Sequence, residues 1–165
     1  KKMWEEISRL YEEGYIKAIG ISSFLIPHIE DLKQVSNIVP MVNQFEINPY
    51  NTQKELIGYC QQNNIQVEAY ATFGTKQTND VASTNLLGEP IFAALAAKYS
   101  KQPTQIILRW SIQQGISVIP RSKSKLHLQE NLELFDFTLS QDEMAQIDAL
   151  NKDMYHRGNP HCTLK

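Results

Sequence analysis

The sequence predicts an α/β fold built on a parallel β-sheet. Along its 165 residues, two kinds of segment alternate. Short segments have the every-second-residue pattern of β-strands, and longer segments have helical periodicity. The first three predicted strands, residues 16–22, 41–47 and 65–71, begin at positions 16, 41 and 65, so they are spaced by 25 and then 24 residues. Such regular spacing is typical of repeated βαβ units, in which a helix joins each pair of parallel strands.

The predicted helices carry recognisable start and stop signals. Gly14 suits the left-handed position that follows the last turn of a first helix. Ser140 and Glu143 have the spacing of a capping box and open the last helix. Two further helices are predicted over residues 53–63 and 124–134. Proline, which is favoured in the first turn, opens three more helices: Pro27, Pro90 and Pro103.

A fourth strand over residues 117–120 completes the predicted sheet, and a longer loop covers residues 72–89. We predict one domain over residues 1–150 and a tail or loop over residues 151–165. A closed (β/α) barrel needs eight strands and usually about 250 residues, so four strands fill half of one. The strand pattern alone therefore leaves two alternatives, a partial barrel and an open doubly wound sheet of flavodoxin type.

The composition narrows the functional class. Hydrophobic residues make up 42% of the chain and the net charge is −2, which gives no long-range attraction to nucleic acid or acidic lipid. We expect neither nucleic acid nor a membrane as a partner, and any anion site must be a local cluster. The two cysteines have no metal-binding spacing, which favours the cytoplasm. Because Lys1 already stands inside a helical pattern, we expect the chain to be a fragment of a longer protein.

One face of the predicted sheet carries polar side chains. Gln44 and Glu46 share a face of the second strand, and Glu68 and Tyr70 share a face of the third. Buried polar groups are costly unless they are paired, so Glu46 and Glu68 are interpreted either as partners in mutual hydrogen bonding or as functional groups. Gln44 and Tyr70 lie nearer the carboxyl ends of their strands, where barrel active sites are built, and a functional role is favoured for both.

A basic cluster, RSKSKLH over residues 121–127, leads into a predicted helix. Positive charges in a first turn oppose the helix dipole, which favours the interpretation that an anion such as a phosphate binds among them. The alternative is a solvated basic loop in which Ser124 is an ordinary N-cap. The sequence contains neither GxGxxG nor GxxxxGK[ST], which weakens the open-sheet nucleotide-binding alternative.

Five segments, in order, resemble the aldo-keto reductase family. They are KAIGISSF (17–24), VNQFEINPY (42–50), VEAYATFG (67–74), VIPRS (118–122) and EN with LFDFTL (130–131 and 134–139). The resemblance covers about residues 4–150 and favours the barrel. It implies the C-terminal half of a TIM (β/α)8 barrel, with about four parallel strands and flanking helices. It also implies an NADPH-dependent oxidoreductase that reduces small-molecule aldehydes and ketones to alcohols by hydride transfer.

The resemblance implies a role in cofactor binding for twelve positions. Tyr70 corresponds to the aromatic residue that stacks under the nicotinamide ring, and Gln44 and Ser22 correspond to the residues that bind its carboxamide. The pyrophosphate is implied to lie against Phe73, Gly74 and Thr75. The 2′-phosphate and adenine are implied to lie against Arg121, Ser122, His127, Glu130 and Asn131. The twelfth position, Ser23, stands where the family usually has asparagine.

Several positions depart from the family pattern. Ser23 replaces asparagine beside Ser22, which removes or lengthens one carboxamide contact. Ala71 replaces a usual serine, and His127 occupies a position often held by arginine. Arg121 replaces a usual lysine but keeps the charge and suits bidentate binding of phosphate. We expect NADPH as the cofactor, with weakened binding or a relaxed preference that makes NADH possible.

The resemblance assigns catalysis to residues outside this chain. In the family a tyrosine acts as general acid, tuned by a lysine, an aspartate and a histidine, and all four belong to the first half of the family sequence. No catalytic residue is therefore assigned here, and we expect the chain alone to be inactive. The alternative is a truncated half-barrel that binds nucleotide or a partner chain without catalysis and self-associates through exposed strand edges.

Overall fold

The computed structural model of the chain describes residues 1–74 and 85–155. The helices are α1 (Lys2–Glu12), α2 (Ile26–Lys33), α3 (Lys54–Gln62), α4 (Pro90–Tyr99), α5 (Pro103–Gln113), α6 (Lys125–Glu130) and α7 (Gln141–Asp148). The strands are β1 (Gly20–Ser22), β2 (Val42–Glu46), β3 (Gln66–Tyr70) and β4 (Ser117–Val118), and a 3₁₀ turn covers Leu86–Gly88. They form one sheet in the order β1-β2-β3-β4. Parallel strands β1 and β2 pair Gly20 with Val42 and Ser22 with Gln44. The predicted α/β class with a parallel sheet is confirmed.

The chain divides into two compact units. Among the described residues, the first unit comprises residues 1–45 and 53–68, and the second comprises residues 46–52 and 69–155. Each unit has its own buried apolar residues. The predicted division into residues 1–150 and 151–165 stays a prediction, although residues 151–155 lie outside helices and strands as expected of a tail.

The first unit buries the sheet face that the alternation assigned to packing. Ile19 is 5% exposed, Phe45 4% and Val67 1%, and all three belong to the face opposite Gln44 and Glu68. Ile19 packs in a cluster with Trp4 of α1 and Leu32 of α2, so α1 and α2 cover this part of the sheet. Gly14 has a φ of +81° directly after the C-cap of α1, as predicted for that glycine.

The first strand is shorter than predicted. The pattern suggested residues 16–22, but β1 begins at Gly20. Since Gly20 faces Val42, the same register brings Ala18 opposite Pro40. Proline has no backbone N–H to donate to a neighbouring strand. Pairing therefore begins with the hydrogen bond from the Met41 N–H to the Ile19 carbonyl oxygen, 2.9 Å long.

The second unit is built on the hairpin of α4 and α5. Phe92 of α4 and Ile107 and Trp110 of α5 are fully buried. The Trp110 indole N–H donates to the Asp148 carboxylate at the end of α7, 2.8 Å away, so this buried aromatic side chain keeps its polar group paired. The predicted capping box of α7 is confirmed, because Ser140 and Glu143 exchange backbone N–H bonds to each other's side chains.

Two boundaries in the second unit differ from the prediction. The fourth strand covers two residues, and Ile119 beyond it is 49% exposed. Helix α6 ends at Glu130, not at position 134. The buried amide of Gln105 in α5 donates to the carbonyl oxygens of Glu130 and Glu133, at 2.9 and 3.0 Å. These tertiary bonds satisfy carbonyls at the end of α6 and allow the helix to stop there.

Candidate cofactor site

The segment after β1 is held tightly to β2 in the first unit. The Gln44 carbonyl oxygen accepts two bonds, one from the Ser22 hydroxyl at 3.1 Å and one from the Ser23 N–H at 2.8 Å. Ser23 has a φ of +59°, in the left-handed region that asparagine and glycine tolerate best. The departure from the family's asparagine therefore falls on a position where the backbone itself favours asparagine.

The side chains of Gln44 and Glu68 are bonded to each other. The Gln44 amide nitrogen donates to a Glu68 carboxylate oxygen 2.6 Å away, which is the short distance of a charge-assisted hydrogen bond. In the second unit, Glu46 is 2% exposed and accepts a bond from the Asn48 amide at 3.2 Å. The interpretation of Glu46 and Glu68 as hydrogen-bonded polar groups is thus confirmed, and Glu68 contacts a predicted binding residue.

Sequence reasoning missed Asn43. This side chain lies on the apolar face of β2 and is fully buried, yet its amide N–H₂ donates to the Phe24 carbonyl oxygen at 2.9 Å. That bond holds the chain directly after Ser22 and Ser23. The available signal was an amide residue in an otherwise apolar register, since such a group must find a partner when it is buried.

In the second unit, a tight turn follows Tyr70 at the end of β3. Tyr70 is half-buried, and Ala71 has a left-handed φ of +52°. The Gly74 N–H donates to the Ala71 carbonyl oxygen at 2.9 Å, and Gly74 has a φ of +66°. Phe73 lies half-buried inside this turn. Of the three residues predicted to lie along a pyrophosphate, Thr75 falls outside the described residues.

The basic cluster before α6 is exposed. Arg121, Lys123 and Lys125 all have exposed side chains, and among the described residues none of the three forms a salt bridge. Ser122 uses its hydroxyl oxygen to accept the Ser124 N–H at 3.0 Å. Ser124 is the N-cap of α6, accepting the His127 N–H at 3.4 Å. The capping interpretation of Ser124 is therefore confirmed, while the cationic groups around it have no salt-bridge partner in the described parts of the chain.

The remaining predicted positions lie on α6. His127 is exposed, and Glu130 and Asn131 are half-buried at the end of the helix. Their backbone groups are engaged, since the Asn131 N–H donates to the His127 carbonyl oxygen at 3.0 Å. The structure thus brings Arg121, Ser122 and these three together within one loop and helix of the second unit, and Ser22, Ser23 and Gln44 together in the first.

Other kinds of site find no support in the part of the chain that the structure describes. Residues 1–74 and 85–155 contain no group of three histidine, cysteine or acidic side chains able to hold a metal ion. None of their helices has the length and apolar character needed to cross a bilayer. The described residues offer amide and hydroxyl groups in the first unit, and in the second unit they offer exposed cationic groups, which suit binding of an anion.

Comparison with known proteins gives a consistent result. The model of the Aldo/keto reductase family matches residues 1–152. "Uncharacterized oxidoreductase YtbE" of Bacillus subtilis (strain 168) is 47% identical over 154 residues, which are 93% of this chain and 52% of that protein. The glyoxal reductase of the same organism is 42% identical over 160 residues, 97% of this chain and 55% of the reductase.

Solved structures agree with the sequence relatives. The crystal structure of a Bombyx mori aldo-keto reductase in complex with NADP matches with a TM-score of 0.87 and 36% identity, covering 94% of this chain and 51% of that one. The predicted fold class, half of such a barrel, is confirmed by this likeness. The chain spans about half the length of the curated relatives it matches.

Proposed function

The chain belongs to the aldo/keto reductase family, and on that premise we propose that it supplies most of the cofactor site of an NADPH-dependent oxidoreductase. The reaction is the reduction of small aldehydes or ketones to alcohols, for which bound NADPH supplies the hydride. The observation that carries the proposal is the exposed basic cluster before α6, whose Arg121, Lys123 and Lys125 have no salt-bridge partner among the described residues. Such a cluster fits a phosphate-bearing cofactor.

At the phosphate end, Arg121 and Ser122 bind the 2′-phosphate. A guanidinium presents paired N–H groups that match two phosphate oxygens, and it stays charged at any physiological pH. His127 lies at the first turn of the same helix, and Glu130 and Asn131 lie at its end, so these three bind at the adenine side. The pyrophosphate lies against Phe73, Gly74 and Thr75, where the left-handed Gly74 leaves room for close approach of the backbone.

At the nicotinamide end, Tyr70 stacks on the ring while Ser22, Ser23 and Gln44 hold the carboxamide. An amide and two hydroxyl groups suit a primary carboxamide, which both donates and accepts hydrogen bonds. Gln44 and Ser22 stand opposite each other in the register of β1 and β2, which supports their joint use. NADH is the proposed second cofactor, because Ser23 and His127 both depart from the family pattern.

The 165-residue chain alone is proposed to be inactive in carbonyl reduction. The resemblance assigns the general acid tyrosine and its lysine, aspartate and histidine partners to the other half of the family sequence. Removing a general acid–base group typically costs a factor of about 10²–10⁴. Steady-state NADPH oxidation with a panel of small aldehydes tests this, and turnover by the purified chain contradicts it.

Differential binding of two dinucleotides tests the cofactor assignment. We expect the Arg121→Ala variant to bind NADPH about tenfold or more weakly, the factor that a charge-assisted hydrogen bond represents, and to bind NADH with unchanged affinity. Lys17→Ala is the matched control, since Lys17 is an exposed cation of the first unit. Equal losses for NADPH and NADH, or no saturable NADPH binding by the wild-type chain, refute the assignment.

A second candidate is a non-catalytic half-barrel that binds nucleotide and pairs with another chain. It is favoured by the sheet order, in which β1 and β4 are the outermost of the four strands, because unpaired strand edges promote association. A concentration-dependent dimer in sedimentation, together with an intact mass near 18.9 kDa for the protein purified from its source, supports this candidate. A mass near twice that value supports the reductase instead.

A further inference from the structure

We propose that Glu68 is a positioning residue that makes the site select a carboxamide over a carboxylate on the pyridine ring of the dinucleotide. The inference rests on the proposed function and extends it to a position to which the family resemblance gave no role. It assigns the selection to the pairing of two side chains on neighbouring strands, Gln44 of β2 and Glu68 of β3. Both belong to the first unit.

The Glu68 carboxylate determines which way the Gln44 amide faces. A carboxylate has only acceptor groups, so the Gln44 amide must turn its N–H₂ group toward it, as the 2.6 Å bond between Gln44 Nε2 and Glu68 Oε1 shows. The opposite rotamer of the amide brings two oxygens together. Because Glu68 binds the Nε2 of Gln44, the side-chain carbonyl oxygen of Gln44, Oε1, is the acceptor that another molecule can use.

The backbone of Gln44 is held as firmly as its side chain. Its carbonyl oxygen already accepts bonds from the Ser22 hydroxyl and the Ser23 N–H, at 3.1 and 2.8 Å. The side chain is half-buried and bonded to Glu68. A group fixed at both ends in this way presents its oxygen at a defined place before any ligand arrives, which lowers the cost of binding.

An acceptor at that place selects the ligand by its chemistry. The N–H₂ of a nicotinamide carboxamide donates to Gln44 Oε1. A nicotinic acid group has only acceptors at the same position, so it brings a carboxylate against a carbonyl oxygen, and an unpaired or repelled polar group lowers affinity strongly. Whether the site prefers a carboxamide or a carboxylate thus depends on the carboxylate of Glu68, although Glu68 itself need not touch the ligand.

Two isosteric variants isolate this effect. In Glu68→Gln the new amide offers a donor as well as an acceptor, so the Gln44 amide is free to turn over and present N–H₂ to a carboxylate. In the exchange variant Gln44→Glu/Glu68→Gln, the amide at position 68 donates to the carboxylate at position 44, whose second oxygen again faces outward as an acceptor. The first variant relaxes the selection, and the second restores it with the same total charge as wild type.

The experiment measures dissociation constants for NADP⁺ and for nicotinic acid adenine dinucleotide phosphate. We expect wild type to prefer NADP⁺ by about tenfold or more, Glu68→Gln to reduce that ratio by about fivefold or more, and the exchange variant to recover it. These factors are of the order that one hydrogen bond to a charged or polar group represents. Adenosine 2′,5′-bisphosphate, which has no pyridine ring, is expected to bind all three proteins equally.

The outcomes separate this inference from the function on which it rests. A purely structural role of Glu68 moves the affinity for all three ligands together, and that result overturns the inference, as does an unchanged ratio in Glu68→Gln. If wild type binds adenosine 2′,5′-bisphosphate and NADP⁺ but does not distinguish the nicotinic acid analogue, the inference fails while the proposed function stands. If wild type binds none of the three, the proposed function fails and the inference with it.

Discussion

The amide of the fully buried Asn43 donates a hydrogen bond to the carbonyl oxygen of Phe24, with a nitrogen–oxygen distance of 2.9 Å. The same nitrogen lies 3.9 Å from the sulfur of the buried Cys60, whereas the Asn43 Oδ1 has no hydrogen-bond partner among the described residues. An acceptor left unpaired in an apolar environment costs stability. The bond to Phe24 is therefore what Asn43 contributes, and it acts on the segment that contains Ser22 and Ser23.

Asn43→Leu tests that role, because leucine fills a similar space without the unpaired oxygen. We expect the Ser23 amide, bonded to Gln44 in wild type, to exchange with solvent about fivefold faster, the factor that one net hydrogen bond represents. The free energy of unfolding should stay within about 1 kcal/mol of wild type, because one buried acceptor and one bond are lost together. Exchange is measured residue by residue with nuclear magnetic resonance.

The matched control for this variant is Cys60→Ala, which removes the neighbouring sulfur but keeps the Asn43–Phe24 bond. It should lower global stability through the cavity it creates and leave the relative exchange rate of Ser23 unchanged. Uniformly faster exchange throughout the first unit in Asn43→Leu is the result that would contradict a local role.

Ser23→Asn should stabilise the chain. Ser23 has a φ of +59°, and asparagine adopts left-handed backbone angles more readily than serine. We expect the free energy of unfolding to rise by about 0.5 kcal/mol, a modest fraction of the full left-handed penalty, and NADPH to bind more tightly because a carboxamide contact is regained. Denaturant titration and a dissociation constant measure the two effects.

Ser100→Asn is the control for that substitution. Ser100 also has a left-handed φ, +53°, at the C-cap of α4 in the second unit, so it should give a similar gain in stability and no change in NADPH affinity. A gain in affinity from Ser100→Asn as well would show that stability alone, and not a new contact at Ser23, tightens the binding.

Glu143 makes stability depend on pH in the acid range. Burial on its own raises the pKa of this carboxyl, but hydrogen bonds from Lys98, Tyr99 and the Ser140 N–H lower it to about 2 from its ordinary value of 4.5. A group whose pKa is lower in the folded state than in the unfolded state stabilises the fold at pH values above its unfolded-state pKa. This stabilisation is lost as the pH falls toward the folded-state pKa. The contribution of Glu143 is therefore complete above about pH 5 and fades between about pH 4.5 and 2.

Glu143→Gln should lose roughly 2 kcal/mol of stability at pH 7, by the linkage between pKa and free energy. The difference from wild type should shrink as the pH falls from about 4.5 toward 2. Urea unfolding at a series of pH values measures it. Asp142→Asn, in the same first turn but exposed, should show no such convergence. A constant difference at every pH would argue against ionic pairing of Glu143.

Tyr50 makes stability depend on pH in the alkaline range. Burial, together with a hydrogen bond to the Glu89 carboxylate and the charge of that carboxylate, raises the pKa of Tyr50 from 10.0 to about 12. Lys152 covers the ring, with its ammonium 3.6 Å from the ring centroid. Because the folded state holds the phenolic proton more strongly, the stabilisation is complete below pH 10 and is lost between pH 10 and 12.

Tyr50→Phe removes the hydroxyl and should lower the free energy of unfolding at pH 8 by roughly 1–2 kcal/mol, the range for a hydrogen bond to a charged acceptor. Above pH 10 the two proteins should converge in stability, since wild type loses the contribution that the variant never had. In an ultraviolet titration, the variant should show one fewer tyrosine that ionises near pH 12 than wild type does. Tyr15→Phe, at an exposed position, serves as control, and an equal effect from it would disprove the assignment.

Features that depend on residues near each other in the chain could be predicted from the sequence. Strand alternation assigned Gln44 and Glu68 to one face and Phe45 and Val67 to the other, because successive side chains of a strand point to opposite sides. The spacing of Ser140 and Glu143 determined the start of α7, because a capping box involves a single turn. The order of the family segments was enough to predict the half-barrel, which the solved structures confirm, whereas the cofactor-binding positions stay a prediction.

Features that depend on partners far along the chain could be found only in the folded structure. The start of β1 depends on Pro40, which precedes β2, and the end of α6 depends on the Gln105 amide of α5. No local pattern shows that Asn43 reaches back to Phe24, nineteen residues earlier. A buried donor or acceptor must be paired, but which group pairs with it is decided by the packing that brings distant residues together.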